Sequence, residues 1–158
     1  MMVNRGDVAP GTAERLQFVA HGTIRVPEGQ GGEWEFAVNS DDGFELWIDG
    51  AKFTEPPPST SPYGSLLWPN TSVLGQRRGH VQLTPGDHKV EVVYFQGPTA
   101  SAFGLLARAP GEQQFALVGD SGLQASGNIP AVPGGFAWKQ VQRPDATPLE
   151  NLAEARGL

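Results

Sequence analysis

Between residues 32 and 53 the apolar positions fall into two alternating runs separated by a polar interruption. Trp34, Phe36 and Val38 alternate with Glu33, Glu35 and Ala37. After Asn39-Ser40-Asp41-Asp42-Gly43 the alternation resumes, with Phe44, Leu46 and Ile48 set against Glu45 and Trp47. A period of two predicts two strands, each with one buried face. Asp49-Gly50 then reads as a two-residue hairpin turn, since both residues accept positive φ. Shorter runs predict further strands at Gln17 to Ala20 and Thr23 to Val26, with His21-Gly22 between them. Others fall at His80 to Leu83 and Lys89 to Phe95 around Thr84-Pro85-Gly86-Asp87, and at Ala102 to Arg108, Gln113 to Val118 and Gly135 to Val141. One stretch carries helical marks instead. Thr147 as N-cap, Pro148 in the first helical position and Leu149 and Leu152 three apart predict a short helix over Leu149 to Ala155.

Many short strands joined by Gly- and Pro-containing turns define an all-β chain, an antiparallel β-sandwich or barrel with a short C-terminal helix. The expected organisation is an N-terminal arm over 1–14, a β domain over 15–143 and a tail with the helix over 144–158. Within the domain, 54–79 is read as a long loop opened by Pro56-Pro57-Pro58, beyond the roughly 15 residues at which connecting loops become uncommon. It is either a plain insertion or an ordered binding loop in which Tyr63 and Trp68 present aromatic faces. A third course is that Leu66-Leu67-Trp68 packs back onto the domain.

Composition narrows the function. The 158 residues carry a net charge of −6, with 39% hydrophobic and 18% charged residues, and the only adjacent basic pair is Arg77-Arg78. Nucleic-acid binding needs a basic face, so nucleic acid is discarded as a partner. No apolar run reaches transmembrane length, which argues against membrane insertion. The absence of cysteine rules out disulfides and thiol chemistry. No G-x-S-x-G, H-E-x-x-H, P-loop or G-x-G-x-x-G is present, and the expectation is a protein without catalysis. His88 opens a strand and suits a structural hydrogen bond, and His21 and His80 stand apart. Two adjacent carboxylates, Asp41 and Asp42, on a loop between strands are the feature that burial does not explain. They suit a shared hard cation such as Ca²⁺, which takes six to eight oxygen ligands, or a turn in which aspartates accept backbone N–H bonds.

The run Ile24 to Gly50, with Val26-Pro27, Ser40-Asp41-Asp42-Gly43 and Ile48-Asp49-Gly50, resembles the PA14 family. A second block, Leu83-Thr84-Pro85-Gly86-Asp87-His88 through Tyr94-Phe95, is similar to that family's later strand pair, and the likeness covers about Gln17 to Arg108. It implies a PA14-type β domain of the kind found in anthrax protective antigen and in flocculin-like adhesins. In the sugar-binding branches the matching Asp-Asp pair is joined by a cis peptide and holds Ca²⁺, which coordinates sugar hydroxyls, and the expectation for Asp41-Asp42 is a cis or at least sharply bent loop with both carboxylates converging. Carried over, this implies Asp41, Asp42 and Gln96 as metal ligands, with Gly97 and Thr99 beside Tyr63 and Trp68 at the ligand. Where the family supplies Asn after the Tyr-Phe strand, this chain has Gln96.

The leading expectation is a carbohydrate-binding or adhesion module assisted by calcium, with a glycan or surface protein as partner. The alternatives are a structural component of a virion or surface assembly, built by homo- or hetero-assembly, and an accessory domain of a glycosidase. The N-terminus shows no apolar signal-peptide core. The expected setting is extracellular, or on a virion or cell surface.

Overall fold

The structure is a computed structural model and describes residues 17–54, 64–69, 74–97, 102–125 and 137–140. Ten strands run in the order β1 (Gln17–Val26), β2 (Gly32–Ser40), β3 (Phe44–Ile48), β4 (Leu66–Trp68), β5 (Gly75–Leu83), β6 (Gly86–Phe95), β7 (Phe103–Arg108), β8 (Ala116–Leu117), β9 (Gln124–Ala125) and β10 (Ala137–Gln140). They form two antiparallel sheets. One has the order β10-β1-β6-β3-β4, with β9 also pairing with β1, and the other has the order β5-β2-β7-β8. Both have open edges among the described residues, so the architecture is a sandwich and the closed-barrel expectation is corrected.

The core lies between the inner faces and follows from the alternation. Trp34, Phe36 and Val38 of β2, with Val81, Leu83, Leu105 and Ala107, face Ile24, Val26, Phe44, Leu46, Ile48, Val90, Val92 and Tyr94 of the larger sheet, and all are buried. At one end Phe18, Tyr94 and Phe103 form a cluster of rings with centroids 5.0, 5.1 and 5.2 Å apart. Edge-to-face contacts of this kind add to area burial. Val92-Val93-Tyr94-Phe95 does not alternate because this end of β6 is covered on both faces. Val93 and Phe95 form a second buried cluster with Val19 and Leu67.

Several boundaries differ from expectation. β1 is one strand through His21-Gly22, held by continuous pairing with β6 from Gln17↔Phe95 to Val26↔Gly86. β5 begins at Gly75 rather than His80, and Leu66–Trp68 forms β4, so parts of the 54–79 segment belong to the sheets. Asp49-Gly50 does turn, with Gly50 at φ 66°, but it makes no hairpin. Both neighbours of β3 are already supplied by β6 and β4, and the chain crosses to the other sheet, where Thr54 bridges His80. The strand expected over Gln113 to Val118 shrinks to β8, followed by a 3-10 turn over Val118–Asp120. The expected arm, the tail and the helix over 149–155 lie outside the described residues. No helix among the described residues is long and apolar enough to cross a membrane.

Candidate functional site

The loop Asp41-Asp42-Gly43 passes from β2 in one sheet to β3 in the other, and each residue of Ser40-Asp41-Asp42-Gly43 has a local reason. Ser40 Oγ donates to the Asp42 carbonyl at 2.6 Å, closing the turn from its first residue. Asp42 has φ 67°, and among the described residues no other non-glycine has positive φ. Aspartate is one of the few side chains that tolerates this left-handed region. Gly43 is required by space: a Cβ there would fall into the Phe95 ring and lie 2.8 Å from the Trp68 carbonyl. The bend is therefore set by sequence and clamped by neighbours.

The clamps come from three separate parts of the chain. The Asp41 N–H donates to the Ala102 carbonyl at 2.9 Å, and the Phe95 N–H donates to Gly43 at 3.0 Å. The Gly97 N–H donates to Asp42 Oδ2 at 2.5 Å. Tyr94, whose ring sits in the aromatic cluster, brings its hydroxyl to 2.6 Å from Gln96 Oε1 and 3.1 Å from the Asp41 carbonyl. Gln96 is fully buried, so its amide is fixed between this hydroxyl and the loop.

The two carboxylates differ. Asp42 is 4% exposed and takes a backbone N–H. Asp41 is half-buried, and its carboxyl is held above the usual carboxylate range, chiefly by burial and then by the nearby charge of Asp42, against a smaller opposing hydrogen bond from the Asp42 backbone. The loop thus carries two anionic groups within each other's field. Beside it, Trp68, Arg77, Ser40 and Asp42 line a hollow of about 10 Å³, on the order of a single water site. The Arg77 guanidinium lies 3.7 Å over the Trp68 ring. Trp68 packs against the main core, and its buried indole N–H has no hydrogen-bond partner.

Of the residues proposed from sequence, Asp41, Asp42, Gln96 and Gly97 meet at this loop, and Trp68 borders it. Tyr63 and Thr99 lie outside the described residues. Sequence reasoning missed Ser40, Tyr94, the Ala102 carbonyl and Arg77. Arg77 was legible in part, because the inward phase of Val81 and Leu83 carried back along β5 reaches it. Each histidine has a polar neighbour. His88 Nε2 lies 2.9 Å from the Thr84 carbonyl, His21 lies 3.3 Å from Glu91, and His80 lies 3.6 and 3.8 Å from Glu33 and Glu35.

Among the described residues, no three His, Cys, Asp or Glu side chains gather as a metal cluster. A hard cation at the loop would therefore draw on two carboxylates, an amide oxygen, backbone carbonyls and water. That donor chemistry suits Ca²⁺, and the mutual field of Asp41 and Asp42 is what a cation would relieve.

The fold is an antiparallel sandwich with a clamped acidic crossover at one end. The PA14 domain model matches residues 6–108, most of the chain, and the protein belongs to the PA14 family. PA14 domains are non-catalytic binding modules. A solved structure described as a PA14 sugar-binding domain from an RTX adhesin is similar, with a TM-score of 0.50 and 21% identity. The alignment covers 66% of this chain and 51% of that one, so this chain spans about half its length. No curated protein matches the sequence.

Proposed function

We propose that this chain is a carbohydrate-binding module of adhesion type, acting at an extracellular or surface location, with calcium held at Asp41 and Asp42. The observation that carries the reading is the placement of two adjacent carboxylates on one clamped, partly buried loop. Backbone clamps from β6 and the start of β7 hold the loop that carries both carboxylates, and burial, with the neighbouring charge of Asp42 second, raises the affinity of Asp41 for protons. A cation joining the pair would offset the cost of bringing the second carboxylate to the partly buried loop. Calcium bound there supplies positive charge and exchangeable coordination positions that vicinal hydroxyls of a sugar can fill. Asp41, the more exposed of the two, offers its carboxylate to the ion. Asp42 contributes its oxygens while the Gly97 N–H fixes its orientation, and the buried Gln96 amide lies behind the loop, joined to it through the Tyr94 hydroxyl. The adhesin domain of similar fold is described as sugar-binding, which supports the glycan as ligand.

A glycan array probed in calcium and again in chelator tests the reading. Binding to defined glycans in calcium, lost in chelator and in Asp41→Asn with Asp42→Asn, is the expected result. Isothermal titration showing no calcium uptake at millimolar concentration would reduce the pair to a structural turn.

A further inference from the structure

At the end of the sandwich opposite the acidic loop there is a cleft of about 530 Å³. This lies within the range of small-ligand sites. β2 runs from the cleft, which Gly29, Gln30 and Gly31 line just before the strand, to Ser40 beside the loop. β7 runs the other way, from Ala102 at the loop to Ala107 and Ala109 at the cleft. The two places are therefore about 30 Å apart, the length of a nine-residue strand.

Turns at Gly29, Gly111 and Gly122, with φ 81°, 84° and 90°, bound this end of the molecule. A Cβ added at Gly29 or Gly111 would meet nothing within 4 Å, so backbone there is open to approach. The residues lining the space include Gln30 and Gln114, the acidic Glu112 and Asp120, Ser121, and Phe115 as an apolar member. Phe115 is held rather than loose. The guanidiniums of Arg78 and Arg108 each sit 5.1 Å from its ring, and Arg108 is anchored by its ion pair with the buried carboxylate of Glu35.

We infer that this cleft is a second ligand site, for a neutral hexopyranose, that works without calcium and independently of Asp41 and Asp42. Mixed amide and carboxylate groups around one apolar wall match a ring with hydroxyls at its edge and C–H groups on its face. Among the described lining residues there is no lysine or arginine to receive an anion. Among the described residues, Glu112 and Asp120 belong to no three-membered acidic or histidine cluster that would favour a divalent ion. Two sites at opposite ends make a single domain bivalent.

The test uses the full chain carrying Asp41→Asn and Asp42→Asn, in chelator, titrated with the methyl glycosides of glucose, galactose, mannose, fucose and N-acetylglucosamine and followed by amide NMR. At least one glycoside should shift the amides of Gln30, Gly31, Gln114, Phe115 and Gly122 saturably. Gln114→Ala with Asp120→Ala, both at exposed positions, should weaken that binding by about tenfold or more, the usual loss for hydrogen bonds that include a charged partner. Glu112→Gln supplies a second, milder variant if the first fails to fold. Absence of saturable shifts with all five glycosides, or shifts that ignore both variants, would overturn the inference. Because the acidic loop is disabled throughout, either outcome leaves the calcium reading to its own experiment.

Discussion

At the scale of single residues, Asp41 makes the sharpest prediction because its effect should change sign with the metal. Its carboxyl protonates more readily in the folded state than in the unfolded chain. Between the ordinary carboxylate value and the raised one, the folded state therefore binds more protons, and metal-free stability falls as pH rises through that window. Above it the cost is fully present. Asp41→Asn should accordingly raise the melting temperature in chelator at neutral pH, and the gain should vanish below the ordinary carboxylate range. In calcium the order should invert. The wild type gains by mass action, about 2.7 kcal/mol at a hundredfold excess over Kd, and the variant loses that increment. Scanning calorimetry at two pH values, with and without calcium, reads all four cases. Gly43 gives a prediction independent of metal. Gly43→Ala pushes a methyl group into Phe95 and toward the Trp68 carbonyl, and overpacking of this kind costs about 1–3 kcal/mol. Urea denaturation in chelator should show that loss, and a neutral result would mean that the Phe95 ring can move aside.

Among the elements, the sequence was most informative where one face is buried and the other wet. β2 and the inner face of β3 were legible for that reason, and so was the crossover between them, because two aspartates interrupt the alternation. What was not legible depends on partners distant in sequence. Glu45 sits at an outward position of β3 and is nevertheless buried, its carboxylate accepting from the Ser65 hydroxyl just before β4. A single strand's pattern does not reveal that a later segment will lie beside it. The same holds for β4 and for the start of β5, where Arg77 takes an inward position and finds its place on an indole from the facing sheet. Trp68 could be read from sequence as a displayed aromatic or as one that packs inward, and the structure packs it against the core with Arg77 over one face. Trp68→Ala should therefore cost stability, about 2–4 kcal/mol by the usual scale for large-to-small changes at a partly buried site, measurable by denaturant titration. Arg77→Ala should cost less than 1 kcal/mol, as expected for a cation–π contact near the surface.

For the whole molecule, the clamped loop joins two strands that are each interior to their sheets. β2 is paired with β5 and β7, and β3 with β6 and β4. Force applied to a ligand at Asp41 and Asp42 would thus enter both sheets at once through strands flanked on either side. A strand drawn along its own axis loads the hydrogen bonds of its two ladders together, in shear, instead of opening them one by one from an edge. The clamps from Phe95, Gly97 and Ala102 carry part of the same pull into β6 and β7. Mechanical rupture should therefore meet the resistance of a lap joint rather than of a zip.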